Sequence, residues 1–155
     1  MKSIGLIVDA YLRVEGSLDA EMVGAPGRTL ASIELRQKLN DQAYFLLGWG
    51  QLELAIDERC REAIRRRRAD RDWKVRRAWD LYNPEDNRLS GLSFENRTIL
   101  VLDQSEGRGS PFALALAHYS LRNQVAHGRF ESTRIDVSAF VRDCYLIQAA
   151  LHRAS

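Results

Sequence analysis

The chain has 155 residues, 45% of them apolar and 28% charged, with a formal net charge of +2. That balance suits one soluble globular domain able to bury a core without staples, and it excludes a disordered or low-complexity protein. No apolar run approaches the ~20 residues of a membrane span. Asp9 interrupts the short apolar start, so no signal peptide is expected and the protein is read as cytoplasmic.

Residues 3–14 predict a short helix with Ile4, Ile7, Val8, Tyr11 and Leu12 on one side. Gly16, Gly24, Pro26 and Gly27 mark 15–27 as a loop that lets this helix fold back. The longest predicted helix covers about 29–68. Leu35, Leu39, Leu46, Trp49, Ile56, Cys60 and Ala63 recur there at spacings of three, four and seven, and Phe45 and Leu52 widen the stripe. Gly48 and Gly50 each cost about 1 kcal/mol in helix propensity; flanking Trp49, they mark a bend or a close helix approach. Arg65, Arg66, Arg67 and Arg68 fall in the last turns, where cations complement the dipole.

Residues 72–82 predict a further helix with Trp73 and Trp79 in the core, ended by Asn83-Pro84. Ser93 reads as an N-cap, and a helix over 93–102 is preferred to a strand because nothing else in the chain offers a strand to pair with. A loop over 103–109 leads to Ser110-Pro111, an N-cap serine followed by proline at the first helical position. That helix runs to Ala126 or His127, with Gly128 as its stop. A last helix covers about 136–152, with Val137, Phe140, Val141, Cys144, Ile147, Gln148 and Leu151 on one face.

These elements predict an all-α fold, an antiparallel bundle of about five helices. It forms a single domain over 1–155, with an N-terminal helix and loop (1–28) ahead of a helical core (29–155). Cys60 and Cys144 sit at apolar helical positions and read as small core residues. His118, His127 and His152 are scattered, without the short paired spacing of a zinc site, so neither metal nor cofactor is expected. Charge is uneven: residues 59–77 hold ten Arg or Lys against three Asp or Glu, a local +7 that leaves −5 for the rest. Arg65 to Arg68 are therefore candidate phosphate contacts; a solvated helix face explains them equally well.

The informative stretch is Leu121-Arg122-Asn123-Gln124-Val125-Ala126-His127-Gly128. On a helix Asn123 and His127 lie one turn apart on one face, with Arg122 on its flank. One small surface then presents a permanently charged phosphate clamp, an amide that donates and accepts, and an imidazole for proton transfer. Metal-independent RNA cleavage needs those functions: the 2′-OH loses a proton, the phosphorane is stabilised and the 5′-oxygen gains a proton. One histidine serves one proton transfer, and a symmetry-related copy supplies the other. His118 lies on the opposite side of the helix and reads as a structural histidine. Glu53, Asp57 and Glu62 either orient a base or belong to a solvated face.

At these residues the sequence resembles the HEPN superfamily, whose nuclease members carry an Arg-x4–6-His motif often seen as Arg-Asn-x-x-Ala-His-Gly. Arg122, Asn123, Ala126, His127 and Gly128 fill that form. The resemblance implies a helical bundle, a homodimer that joins two motifs in a composite site, and metal-independent endoribonuclease activity leaving 2′,3′-cyclic phosphate. It also implies a toxin or antiphage setting, often beside a partner antitoxin. One subgroup carries a modified Tyr two residues after the histidine; here that position is Arg129, which also counts as a candidate RNA contact. The competing reading is a non-catalytic HEPN-like module that binds RNA, nucleotide or a partner protein.

Overall fold

Glycine, proline and small polar residues set the helix boundaries in the computed structural model, which describes residues 2–85, 89, 91–127 and 135–153. Six α-helices occur among them: α1 (Lys2–Met22), α2 (Gly27–Arg68), α3 (Trp73–Trp79), α4 (Phe94–Ile99), α5 (Pro111–Ala126) and α6 (Val137–Arg153), with a 3-10 turn at Gln104–Glu106. The fold is thus all-α, with one helix more than the expected five. Asp72, Ser93 and Asp103 cap the elements that follow them through side-chain oxygens that accept backbone N–H bonds. Ser110 Oγ accepts from the Ala113 amide at 3.2 Å, and Asp136 Oδ1 from the Ala139 amide at 2.8 Å. The expected stop at Gly128 lies outside the described residues.

Contacts divide the chain into two compact units. The first comprises Met1–Gln51 and His118–Cys144. Its α1 corrects the expected loop over 15–27: the helix continues to Met22, and the turn is confined to 23–26. Gly16 is exposed, with open space around it, so it costs only propensity, about 1 kcal/mol. Burial of Leu18 and a polar ladder to α2 offset that cost. Tyr11 donates to Asp41 at 2.9 Å, Gln37 to Glu15 at 3.0 Å and to Asp19 at 2.8 Å, and Arg36 pairs with Glu21. Partners run in opposite order along the two helices, so α1 and α2 are antiparallel. Leu12 is exposed rather than core.

In this unit α2 buries Ile33, Phe45 and Trp49. Leu35 and Leu39, expected in the stripe, are exposed: packing covers the side of α2 that carries Ile33, Phe45 and Trp49 and leaves these two leucines outside it. Gly48 is the close approach. A Cβ there would lie 2.6 Å from Cε1 of Phe140, whose ring packs edge-on against Phe45 at 4.8 Å. Gly50 faces open space.

The second unit comprises Leu52–Ala117 and Tyr145–Ser155. Leu52, Ile56, Cys60 and Ile64 of α2 pack there with Phe94, Thr98, Ala115, Ile147 and Leu151, all buried. Arg97, nearly buried, pairs with Asp57 and with Glu53 at 3.4 Å and lies over the Phe94 ring at 5.6 Å. Trp73 and Trp79 correct the sequence reading: no residue of α3 is buried, Trp73 is 56% exposed and Trp79 half-buried. Polar contacts anchor this segment instead. Arg76 donates to the carbonyls of Asp70 (2.7 Å) and Arg71 (3.0 Å), and Arg68 pairs with Asp80 at 3.2 Å.

Both cysteines are buried and unpaired, each in its own unit. Burial pushes the thiols up, Cys60 to about 11 and Cys144 to about 12.

Two outcomes follow from the first unit. Gly48→Ala gains helix propensity but drives a methyl into a ring that is itself fixed. It is expected to lose about 1–3 kcal/mol in urea unfolding, whereas Gly50→Ala gains up to about 1 kcal/mol.

Burial raises the Asp41 pKa above its ordinary 3.8, more than the Tyr11 hydrogen bond lowers it, and Asp136 adds to the rise. The folded state therefore favours the protonated carboxyl. That contribution is complete below 3.8 and is lost as pH rises through the folded-state value, so ionised Asp41 costs stability at neutral pH. Asp41→Asn keeps an acceptor for Tyr11 and should raise the melting temperature at pH 7. Calorimetry at successively lower pH should show the gain shrinking.

Candidate active site

The last turns of α5 present the motif. Val125 is buried and holds this end of the helix in the core, and the residues around it turn outward. Arg122 and Asn123 are half-buried and His127 is exposed. The helix ends at Ala126, yet the His127 amide still donates to the Asn123 carbonyl at 3.0 Å, which keeps the imidazole-bearing residue one turn beyond Asn123. Arg122 donates from Nη1 to Asn123 Oδ1 at 3.0 Å. This bond engages one of five guanidinium donors and the amide oxygen; with respect to the described residues, the other guanidinium N–H groups and the Asn123 amide N–H groups are left for an anion. Among the described residues no carboxylate pairs with Arg122 or His127. Such a surface can bind a phosphodiester and exchange protons with it.

No family model matches the chain, and no curated protein or solved structure does either. The chemistry of the site is therefore argued from its own side chains.

His118 sits on the same helix but in a different environment. Its Nε2 lies 3.0 Å from Asp143 Oδ2, both side chains are largely buried, and the ring packs edge-on against Phe140 at 4.9 Å. The pair ties α5 to α6 and fixes the rotation of α5, which decides that Arg122 and His127 face out. Asp143 is the contributor that sequence reading missed. Nothing in its spacing signals a partner 25 positions away on another helix.

The remaining candidates are engaged elsewhere. Glu53 and Asp57 pair with Arg97, and Glu62 pairs with Arg59 at 2.6 Å. Arg59 also approaches His152 Nδ1 at 2.7 Å. Arg65 binds Glu85 at 2.8 Å, Arg68 binds Asp80, and Arg67 lies 4.0 Å from Asp70, while all four arginines from Arg65 to Arg68 remain exposed. Arg129 lies outside the described residues. Among the described residues no group of three or more His, Cys, Asp or Glu is placed to hold a metal ion. No helix there is long and apolar enough to cross a membrane.

Removing each histidine should separate the two roles. His127→Ala is expected to shift stability by no more than about 0.5 kcal/mol, as for an exposed side chain. His118→Ala takes the Oδ2 partner from a largely buried Asp143, whose Oδ1 keeps a 3.7 Å approach from Arg142, and should cost roughly 1–3 kcal/mol. Chemical denaturation of the two variants checks the difference.

Proposed function

We propose that the protein is a metal-independent endoribonuclease of HEPN type, acting as a homodimer in which two copies of the Arg122–His127 surface form one site. The observation that carries this reading is the grouping of half-buried Arg122 and Asn123 with exposed His127 at the end of α5, with no described carboxylate neutralising the arginine. In the reaction one His127 imidazole takes the proton of the ribose 2′-OH as its oxygen bonds to phosphorus. The imidazolium of the second copy gives a proton to the departing 5′-oxygen as the P–O5′ bond breaks. The products are a 2′,3′-cyclic phosphate and a 5′-hydroxyl. Arg122 stabilises the added negative charge of the phosphorane, with Asn123 holding the guanidinium in place.

The second copy is required because one exposed imidazole cannot serve as base and acid in the same step, and the other two histidines are engaged, His118 by Asp143 and His152 by Arg59. The exposed Leu35, Leu39 and Leu47 of α2 give a second copy apolar surface to cover. The biological setting that fits is a cytoplasmic toxin or antiphage effector held in check by an antitoxin.

Purified wild type incubated with mixed RNA in EDTA should cleave it and leave cyclic phosphate ends. His127→Ala should lose at least about 100-fold in rate, and Arg122→Ala a comparable amount. Equal cleavage by wild type and His127→Ala would sink the assignment. A folded dimer that binds RNA without cleaving it would favour the binding-module reading.

A further inference from the structure

The three tryptophans differ sharply in environment. Trp49 is buried against Tyr119, and Trp79 is half-buried with its ring 5.9 Å from that of Tyr82. Trp73 is 56% exposed and has no ring partner among the described residues. An exposed indole offers a flat face on which a planar ring can stack. Trp73 lines an open depression with Lys74, Arg77, Ala78, Asp80 and Leu81.

The cations around it divide into two groups. Arg65, Arg68 and Arg76 hold the chain through Glu85, Asp80 and the carbonyls of Asp70 and Arg71. Lys74 and Arg77 have no ion-pair partner among the described residues, and both line the depression. Arg77 lies one turn from Trp73, so indole and guanidinium share a face of α3. The Asp80 carboxylate at the edge is taken by Arg68. The depression therefore offers a flat aromatic face with two uncommitted cations, inside a segment of local charge +7.

We propose that Trp73, Lys74 and Arg77 form a second nucleic-acid contact, distinct in residues from the Arg122–His127 surface, in which a base of a single strand stacks on Trp73 and flanking phosphates meet Lys74 and Arg77. The combination of an aromatic platform and positive charge is what sequence-tolerant single-strand binding requires. The choice of RNA over DNA rests on the nuclease reading; the platform itself does not. Charge argues against a second copy of the chain as the occupant, since it would set two +7 segments face to face. A membrane surface fits poorly, because α3 spans only seven residues and Trp73 and Leu81 are the exposed large apolar side chains of this region.

The test uses full-length protein carrying His127→Ala, so that substrate survives. Binding of labelled single-stranded RNA, and of an abasic oligomer of equal length, is measured over a salt series. Trp73→Ala should weaken RNA binding about tenfold, leave the abasic oligomer unaffected and be largely rescued by Trp73→Phe. Replacing Lys74 and Arg77 together by Gln should make the salt dependence shallower by about 1.4 in log–log slope. Circular dichroism checks that each variant folds. The proposal is overturned if the parent does not bind RNA, or if Trp73→Ala binds it as tightly as the parent. It is also overturned if Trp73→Ala alters only the sedimenting mass or adhesion to anionic vesicles. Cleavage by wild type is read separately, so binding through Trp73 without cleavage would remove the nuclease reading and keep this one, and cleavage indifferent to Trp73 would do the reverse.

Discussion

The first unit depends on the place where the Phe140 ring occupies the space that a side chain on residue 48 would fill. Only glycine allows α6 to approach α2 so closely, and the same ring meets both Phe45 and His118. With α6 seated there, Asp143 reaches His118, and the largely buried pair fixes α5. The outward presentation of Arg122, Asn123 and His127 is thus a consequence of packing several residues away. A largely buried His–Asp pair is weak as a source of net stability and strong as a constraint, because either partner left alone would be an unsatisfied polar group.

Polar groups do similar positioning work elsewhere in each unit. In the first, the ladder of Glu15, Asp19 and Glu21 against Gln37, Asn40 and Arg36 sets the register of α1 on α2. In the second, nearly buried Arg97 gathers Asp57 and the more exposed Glu53, and burial raises the Asp57 carboxyl in spite of the arginine beside it. The arginine-rich segment then divides by task. Residues that cap carbonyls or hold Asp80 and Glu85 organise the chain after α2, and those left unpaired among the described residues carry charge outward.

Much of the helical layout was legible in the residues. Ser93, Ser110 and Asp136 announce helix starts through side chains that take up orphan amides, and such local chemistry does not depend on the rest of the fold. The candidate site was legible for the same reason: Arg122, Asn123 and His127 lie within six positions, and helical periodicity alone sets their neighbourhood. Gly16 misled because a single helical glycine costs little when its neighbours are anchored, and Leu35 and Leu39 misled because an apolar pattern does not say which side a partner will cover.

The sequence by itself determined the all-helical class, most helix boundaries and the grouping of the motif residues, since each follows from contacts within about one turn of chain. Tertiary packing decided that Gly48 and not Gly50 is a contact point, that His118 is tied to Asp143, and that Trp49 is buried while Trp73 is not. Those outcomes depend on which distant surfaces meet, and spacing along one chain carries no record of the neighbour that a side chain will find.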